Sequence, residues 1–256
     1  MKQTHHRRLT LGAWLLIIII WQLITLTKLI PAVLLPSPLQ IAQTFIQLCQ
    51  HGYNGISLAK HFSMTMLRLL VALSLAVLTA IPLGLLSGHN ARVNALIDSF
   101  VQFVRPLPPL AYYMILILWL GIGEQSKIML LYLAAFPPIY LACVSGVRQV
   151  PTEYLNAAAS LGADSTQIFW HVLLPAALPN IITGIRTATG VAYTTVVAAE
   201  MVAATYGIGW MIINASKYLK SDVMFVGIII LGVTGVLIDA LLQWLQRRFV
   251  YWSDQE

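Results

Sequence analysis

Six long stretches of this sequence carry no aspartate, glutamate, lysine or arginine, and they constrain the fold more than any other feature. They cover residues 9–27, 69–91, 106–123, 128–147, 187–199 and 223–238. A helix needs about 20 apolar residues to cross the hydrocarbon core of a bilayer. The sequence therefore predicts an all-α, polytopic membrane protein with six transmembrane helices, at about 10–28, 66–87, 103–122, 127–147, 180–203 and 224–245.

The low charge of the chain excludes the main soluble classes. Charged residues make up 9% of its 256 residues and hydrophobic residues 59%, whereas a soluble domain carries about 25% charged residues. A cytosolic enzyme, a nucleic-acid-binding protein and a disordered chain are therefore excluded, and a lipid bilayer is the expected surrounding. Six spans of about 20 residues use nearly half of the chain, so we expect one transmembrane domain over residues 1–256.

The lysine and arginine residues predict the orientation in the membrane. With the N-terminus in the cytoplasm, nine of them fall on the inner side and six on the outer side, and every arginine except Arg68 is inside. Positively charged loops tend to stay in the cytoplasm, and an even number of spans returns the C-terminus to the same side. We therefore predict that both termini are cytoplasmic. The first apolar stretch is too long for a signal peptide and is predicted to be a retained span.

The outer loop after the first span is predicted to form a helix. Ser37 can cap this helix, and Pro38 suits its first position. Ile41, Phe45 and Leu48 then recur at helical spacing and form one apolar face. The pattern favours a helix that lies on the outer membrane surface over a segment that binds a ligand.

The longest inner loop, residues 148–178, carries the signals of two short helices. Pro151 predicts the start of the first helix and Gly162 its end. Asp164–Gln167 resembles a capping box that opens the second helix. Pro175 is expected to end that helix, because proline disfavours the helical conformation in the residue before it. The loop is therefore predicted to be a cytoplasmic helix–Gly–helix element.

The first of these short helices carries three consecutive alanines, Ala157-Ala158-Ala159. Their small side chains would let another surface approach the helix closely. A helical hairpin with such a face, projecting from a membrane bundle, fits a docking element for a partner protein. It also fits an ordinary ordered loop, and the residues alone leave both interpretations open.

This loop also resembles a known family motif. Asn156-Ala157-Ala158, Gly162, Val172 and Leu174-Pro175 have the spacing of the EAA loop of ABC importer permeases. In that family the pattern is Glu-Ala-Ala, three residues, Gly, nine residues, Ile, one residue, Leu-Pro. One position departs, because Asn156 stands where the family usually has Glu, and Glu153 lies one turn earlier. The departure changes the charge expected on a docking surface.

Four other segments, 105–111, 119–124, 126–128 and 197–200, are similar to the taurine, sulfonate and nitrate branch of these permeases. The resemblance implies a bacterial inner-membrane homodimer that receives its cargo from a periplasmic sulfonate-binding protein. It implies that ATP and Mg²⁺ bind to a partner ATPase and that this chain holds no cofactor. Two copies of the ABC ATPase subunit would dock through Glu153, Asn156, Ala157, Ala158, Gly162, Leu174 and Pro175.

The residues themselves carry no motif of an enzyme. The sequence contains no Walker phosphate-binding motif, no HExxH zinc motif and no GxSxG nucleophile motif. Its two cysteines and six histidines do not show metal-ligand spacing. We therefore predict that the chain is not an enzyme and binds no metal. Uphill transport would then need an external motor or an ion gradient.

Glu200 is the one ionisable residue predicted to lie deep within a span. Acids at such a depth usually face a cavity or a partner group. The sequence leaves two interpretations of Glu200 open. It either lines the substrate pathway or forms a structural ion pair, for example with Arg68 or Lys217.

Four further residues are candidates for the substrate pathway: Tyr193, Thr194, Thr195 and Arg105. The three hydroxyls could hydrogen-bond a sulfonate, but threonine hydroxyls also bond back to their own helix. Arg105 is followed by three prolines within 106–109, which should break or kink the third span near its inner end. Broken helices line cavities in many transporters. Arg105 is therefore interpreted either as a pathway residue or as an anchor at the inner membrane surface.

Taken with the family resemblance, these features predict the permease subunit of an ABC importer, with taurine or a related alkanesulfonate as cargo. Within the same class, the alternative cargo is nitrate or another small anion. The alternative class is an ion-coupled secondary transporter. That class usually shows inverted repeats and paired intramembrane acids, whereas this sequence shows no obvious repeat and only one deep acid.

Overall fold

A computed structural model describes residues 2–27 and 30–250 of the chain. Helix accounts for 84% of the structure, and the described residues form no strand beyond one isolated bridge between Tyr53 and Ile56. The all-α prediction is confirmed. A π-helical turn, Phe169–Leu173, joins the eighth and ninth helices. The helices are α1 (Lys2–Leu26), α2 (Pro38–His51), α3 (Leu58–His89), α4 (Ala91–Val104), α5 (Pro109–Leu120), α6 (Glu124–Arg148), α7 (Thr152–Ser160), α8 (Ser165–Ile168), α9 (Leu174–Ala203), α10 (Ile208–Lys217) and α11 (Ser221–Phe249).

Several of these helices are long and apolar enough to cross a membrane. α4 and α5 are long and apolar enough only when they are taken together, and they are bent by 103° at their junction. The apolar part of α1, Leu15–Leu26, is shorter than these helices and does not by itself reach the length of a full span. A multi-pass membrane protein is therefore confirmed, while the count of six spans stays a prediction. Among the described residues, four stretches are each long and apolar enough to cross a membrane: Leu58–His89, Glu124–Arg148, Ser165–Ala203 and Ser221–Arg248.

The ends of the chain bear on the orientation. Lys28, where the first predicted span ends, lies outside the described residues, and so do residues 251–256. The prediction that both termini are cytoplasmic therefore stays a prediction.

The chain groups into two compact units. The first comprises Met1–Met64 and Thr205–Gly232, and the second comprises Thr65–Ala204 and Val233–Glu256. The residues of each unit mainly contact residues of the same unit. The organisation as one transmembrane domain over 1–256 stays a prediction.

The first unit has a hydrophobic core formed by side chains of α2, α10 and the beginning of α11. Its buried members include Ile41, Leu48, Ile208, Met211 and Val226. A hydrogen bond reinforces this packing, because the Thr44 hydroxyl donates to a carboxylate oxygen of Asp222 over 2.8 Å.

The cap predicted for α2 is present. The Ser37 hydroxyl oxygen accepts a hydrogen bond from the backbone N–H of Gln40 at 3.2 Å, and Pro38 is the first helical residue. Ile41 and Leu48 are buried, as the apolar face predicts, whereas 44% of Phe45 is exposed. α2 is thus confirmed as a helix, and its place on the outer membrane surface stays a prediction.

The second unit is built on close packing between α6 and α9, the most extensive helix pair among the described residues. Gly184 of α9 lies so near α6 that a Cβ built on it would be 2.3 Å from the Cβ of Ala142. Gly84 of α3 is equally close to α6, since its Cβ would lie 2.5 Å from the Cβ of Cys143. Within a bilayer no water drives helices together. They associate where small residues let their backbones approach closely.

The third predicted span, 103–122, is wrong at its inner end. α4 ends at Val104, and α5 begins at Pro109. The prolines within 106–109 lack a backbone N–H and restrict the residues before them, so no helix continues through this segment. The break itself was expected, but it separates two helices at a sharp angle and does not merely kink one.

The helix–Gly–helix element has the predicted local structure. Gly162 adopts a φ of +86°, which glycine reaches without strain, and it separates α7 from α8. The Asp164 carboxylate accepts from the backbone N–H of Gln167 at 2.8 Å, and the Gln167 side chain accepts from the backbone N–H of Asp164 at 3.0 Å. The predicted capping box is therefore confirmed.

The sequence predicted that the second short helix would end at Pro175, and this prediction is wrong. α8 continues through the π-helical turn into α9, which begins at Leu174, well before the predicted start of the fifth span at residue 180. Hydrogen bonds in a π turn reach one residue further back than in an α-helix. Pro175 lacks the N–H of a regular helical hydrogen bond, and it lies directly after this turn, where the pattern changes from π to α.

Candidate functional site

The residues predicted to dock a partner lie on the surface. α7 buries no residue, and its Glu153, Asn156 and Ala157 are exposed, while Ala158 is half-buried. Gly162 is exposed at the turn that follows. These five residues therefore form one accessible surface on a short helix and its turn.

Leu174 and Pro175, the last two predicted docking residues, are half-buried at the beginning of α9. They are not part of the exposed surface of α7. Their position connects the exposed element to a long apolar helix, because the chain is helical from Ser165 to Ala203.

Three large apolar side chains are exposed on the same element. Tyr154 is 60% exposed, Leu161 89% and Trp170 59%. Burying apolar surface is favourable by about 25 cal/mol per Å², so these three side chains form a candidate contact surface for a protein or for lipid. Sequence reasoning identified the small alanines here but missed these three residues.

A buried ionic cluster joins three helices of the second unit. The Arg68 guanidinium of α3 contacts both oxygens of Glu124, at 2.6 and 2.8 Å, and one oxygen of Glu200 at 2.6 Å. The Thr65 hydroxyl donates to that Glu200 oxygen at 2.8 Å. Lys127 completes the cluster with an ammonium nitrogen 3.2 Å from Glu124. Two positive and two negative side chains therefore balance each other.

The position of Glu200 differs from what the sequence suggested. It lies in the last turn of α9, not at mid-span, and its side chain is completely buried, as is 99% of Arg68. The geometry matches the structural pair with Arg68, one of the two interpretations that the sequence left open. Glu124, the other acid bound by Arg68, was not foreseen.

The two threonines that precede Glu200 bond back to their own helix, and Tyr193 packs against a neighbouring helix. The Thr194 and Thr195 hydroxyls donate to the carbonyl of Val191, at 2.9 and 2.7 Å. Tyr193 packs against Gly235 of α11, whose Cβ would lie 3.3 Å from the Tyr193 ring. None of the three belongs to the lining of the cavity described next. The alternative that threonine bonds to its own helix is the one seen in the structure.

The second unit contains a cavity of about 500 Å³ beside the break between α4 and α5. Arg105 of the break lies on its wall, and it is the one candidate pathway residue that does so. Leu133, Pro137 and Leu141 of α6 and Val191 of α9 supply much of its apolar surface. Pockets that bind small molecules usually have volumes of about 300–1,000 Å³.

Four polar residues on the cavity wall were missed by sequence reasoning: Ser145, Asn180, Thr183 and Thr187. The last three recur at spacings of three and four, which places them on one face of α9. That pattern could have been found, because an otherwise apolar helix carries one polar stripe. Among the described residues, no group of three or more histidine, cysteine or acidic side chains could hold a metal ion, and the expectation of no metal stays a prediction.

The chain is similar to known proteins. Residues 80–251 match the family described as binding-protein-dependent transport system inner membrane component. The chain is 38% identical to the taurine transport system permease protein TauC of Escherichia coli K12, over 96% of the chain and 90% of that protein. It is 35% identical to the bicarbonate transport system permease protein CmpB of Synechococcus elongatus, over 68% of the chain and 63% of that protein.

A solved structure has the same fold. It is a chain of the MetNI methionine ABC transporter in an inward-facing conformation, and it superposes with a TM-score of 0.62 at 23% sequence identity. The match covers 76% of this chain and 94% of that chain. At this level of identity the similarity establishes the architecture of the helices.

Proposed function

The chain belongs to the family of binding-protein-dependent transport system inner membrane components, and from this premise we propose that it is the transmembrane permease subunit of an ATP-driven importer. It works as a homodimer in a bacterial inner membrane with both termini in the cytoplasm. Closure of the partner ATPase drives alternating access. The chain itself is not an enzyme, and ATP and Mg²⁺ bind to the ATPase.

The exposed helix–Gly–helix element is the observation that carries this proposal. It presents accessible small residues, Ala157 and Gly162, beside uncovered apolar side chains such as Leu161. Two ATPase subunits dock on the two copies of this element in the dimer. Because the element continues helically into α9, closure of the ATPase moves a membrane-spanning helix directly.

The cargo is taurine or a related alkanesulfonate, delivered by a periplasmic sulfonate-binding protein. The name of the TauC relative supports this assignment. Nitrate or another small anion is the alternative, and the name of the CmpB relative supports a small oxyanion. Uptake assays with both classes of anion, using the complete transporter, would separate them.

An ion-coupled secondary transporter is the competing class. Such proteins commonly use unpaired intramembrane acids as ion sites, whereas Glu200 is already bound by Arg68 and Thr65. Uptake into proteoliposomes would decide between the classes. ATP-dependent uptake that is insensitive to protonophores supports the ABC importer, and uptake without the ATPase subunit contradicts it.

Replacing Ala157 by glutamate is expected to weaken ATPase docking at least tenfold. Ala157 is exposed, so the change leaves the fold of α7 intact but places an unpaired charge within the proposed interface. An unpaired charge at a buried interface costs several kcal/mol, and about 1.4 kcal/mol is a tenfold change in affinity. Co-purification of the ATPase and its binding to permease in nanodiscs measure the effect.

Gln43→Glu is the matched control for this experiment. Gln43 is exposed on α2, another short helix, and gains the same charge. It should leave both ATPase docking and transport unchanged. Undiminished co-purification of the ATPase with the Ala157→Glu permease would contradict the docking proposal.

Single-cysteine labelling tests the orientation. Cysteine at exposed Ser160 of α7 should react with a membrane-impermeant maleimide only from the cytoplasm, and cysteine at exposed Gln43 of α2 only from outside. The background needs Cys49→Ser because Cys49 is exposed, whereas Cys143 is buried. Labelling of both positions from the same side would refute the proposed topology.

A further inference from the structure

We propose that the cavity bounded by α5, α6 and α9 is a binding site for the oxyanion group of a short-chain organic anion, and that Arg105 contacts that group. The proposal rests on the proposed function, because the anion is the cargo on its way through the membrane. It assigns direct recognition of the cargo to the permease, in addition to recognition by a soluble binding protein.

The charge on the cavity wall is the first argument. Arg105 is the one charged residue among those that line the cavity. Its guanidinium makes no hydrogen bond or ion pair with any described residue. An arginine offers five N–H donors in a planar fork that matches the geometry of an oxyanion. A cation without a counter-ion beside an apolar cavity attracts an anion from solution.

The break between α4 and α5 adds a second positive element. Leu107, Pro109 and Tyr112 line the cavity, so the first turn of α5 borders it directly. The N-terminal end of a helix carries a partial positive charge and unsatisfied N–H groups. α5 has 12 residues, and no side chain caps its start. Broken helices in transporters present such ends to anionic substrate groups.

Two polar residues on the wall have hydrogen atoms left to donate. The Gln149 amide donates to the Ser145 hydroxyl oxygen and accepts from the Asn180 amide, both over 3.0 Å. Ser145 therefore keeps its own hydroxyl hydrogen, and Asn180 keeps a second amide hydrogen. Both can donate to an oxyanion. Thr183 and Thr187 cannot, because their hydroxyls already donate to carbonyls of α9.

The remaining wall explains why the ligand should be an organic anion. Leu133, Pro137, Leu141 and Val191 give the cavity an apolar side. An inorganic oxyanion would leave most of the volume of about 500 Å³ unfilled and this apolar side uncovered. A sulfonate with a short alkyl chain places its charged group at Arg105 and its methylene groups against the apolar wall.

Two other roles for Arg105 must be separated from this one. It is the C-cap of α4, where a positive charge stabilises the negative end of the helix. It could also bind the phosphate of a lipid headgroup, which presents the same oxyanion chemistry. The first role affects stability alone, and the second depends on the lipid. The test therefore includes a stability measurement and two lipid compositions.

The experiment measures binding of radiolabelled propanesulfonate, a sulfonate without an ammonium group, to the complete permease–ATPase complex in nanodiscs of neutral phosphatidylcholine, without the binding protein. Arg105→Gln should weaken binding about tenfold or more, because it removes a charge-assisted contact. Arg105→Lys should retain part of the affinity. Arg92→Gln is the matched control, since Arg92 is exposed at the start of α4 and does not line the cavity. Unlabelled ethanesulfonate should compete with the labelled sulfonate, and ethylammonium should not.

Several results would overturn the proposal. They are the absence of saturable binding to the wild-type complex, equal affinity after Arg105→Gln, and competition by ethylammonium in place of ethanesulfonate. Retention of phosphatidylglycerol that depends on Arg105, without sulfonate binding in neutral discs, would make this a lipid site and also overturn it. A lower melting temperature of Arg105→Gln with unchanged affinity would leave only the capping role.

Failure of this proposal and failure of the proposed function give different results. Assembly with the ATPase and ATP hydrolysis are measured in the same nanodiscs. A permease that binds no ATPase refutes the function as an ABC importer. An active transporter whose sulfonate binding does not depend on Arg105 refutes the cavity site alone.

Discussion

Replacing Arg68 by methionine is expected to destabilise the permease by about 3–5 kcal/mol, because it leaves a buried charge without its partner. The Glu200 carboxylate is completely buried and is held by Arg68 at 2.6 Å and by the Thr65 hydroxyl at 2.8 Å. Without the guanidinium, the buried carboxylate loses its closest positive charge. Thermal unfolding in detergent, followed by loss of the monodisperse species, measures the effect.

The exposed ion pair of the same unit is the matched control. Arg186 of α9 contacts Asp239 of α11 at 3.0 Å, but more than half of Asp239 is exposed. Exposed pairs contribute little to stability, so Asp239→Asn should hardly change the melting temperature. If the Arg68→Met variant unfolds at the wild-type temperature, the buried cluster does not stabilise the fold.

The double variant Arg68→Met/Glu200→Leu sharpens this test. Replacing a complete buried pair by apolar residues of similar size is often neutral or stabilising, whereas removing one partner is costly. Glu124 keeps Lys127 as a partner at 3.2 Å in the double variant. The double variant should therefore be more stable than Arg68→Met alone. Equal instability of both variants would mean that the cluster is needed as a whole.

The same cluster allows a test of whether Glu200 also lies on the substrate pathway. Glu200→Gln keeps the size of the side chain and removes its charge. If Glu200 is only half of a structural pair, the variant should melt earlier while its surviving fraction couples ATP hydrolysis to uptake normally. Normal stability with poor coupling would instead support a pathway role. The buried geometry leads us to expect the first result.

Local signals in the sequence predicted local structure well. Ser37 and Asp164 are cap residues whose side chains satisfy N–H groups three residues away, and both caps form as expected. Gly162 ends a helix where a positive φ is required. Such features depend on a few neighbouring residues, so a sequence pattern is sufficient to identify them.

Features that depend on distant residues were predicted less well. Arg68 and Glu124 are 56 positions apart in the chain, and their contact requires that α3 and α6 pack in one particular register. Pro175 was expected to end a helix, but a π turn accommodates it. The choice between these outcomes is made by packing in the whole unit and is not visible in the local sequence.

The cavity also has one part that local sequence signals predict and one part that depends on distant residues. The prolines after Arg105 predicted a break, and the break is present. The opposite wall comes from α6 and α9, and residues such as Ser145 and Asn180 reach it only because those helices pack closely. Which polar residues share a cavity therefore follows from the packing of α6 on α9, and Gly184 and Gly146 permit that close packing.

Replacing Gly184 by alanine is expected to destabilise the second unit by about 1–3 kcal/mol, the usual cost of an extra methyl group in a packed core. The new Cβ would lie 2.3 Å from the Cβ of Ala142 and 3.2 Å from the carbonyl oxygen of Pro138. Neither neighbour is the end of a flexible side chain, so α6 and α9 must move apart. The melting temperature in detergent should fall, and cargo binding in the adjacent cavity should weaken.

A compensating change and a control make this prediction specific. Ala142→Gly removes the methyl group that Gly184→Ala meets, so the double variant should recover most of the lost stability. Gly190→Ala places the same methyl group on the same helix where nothing lies within 4 Å, and it should be neutral or slightly stabilising because alanine favours helix. Loss of stability in Gly190→Ala, or no recovery in the double variant, would mean that the effect does not arise from contact between α6 and α9. If Gly184→Ala is destabilising and the double variant recovers, the spacing of these two helices sets the stability of the unit.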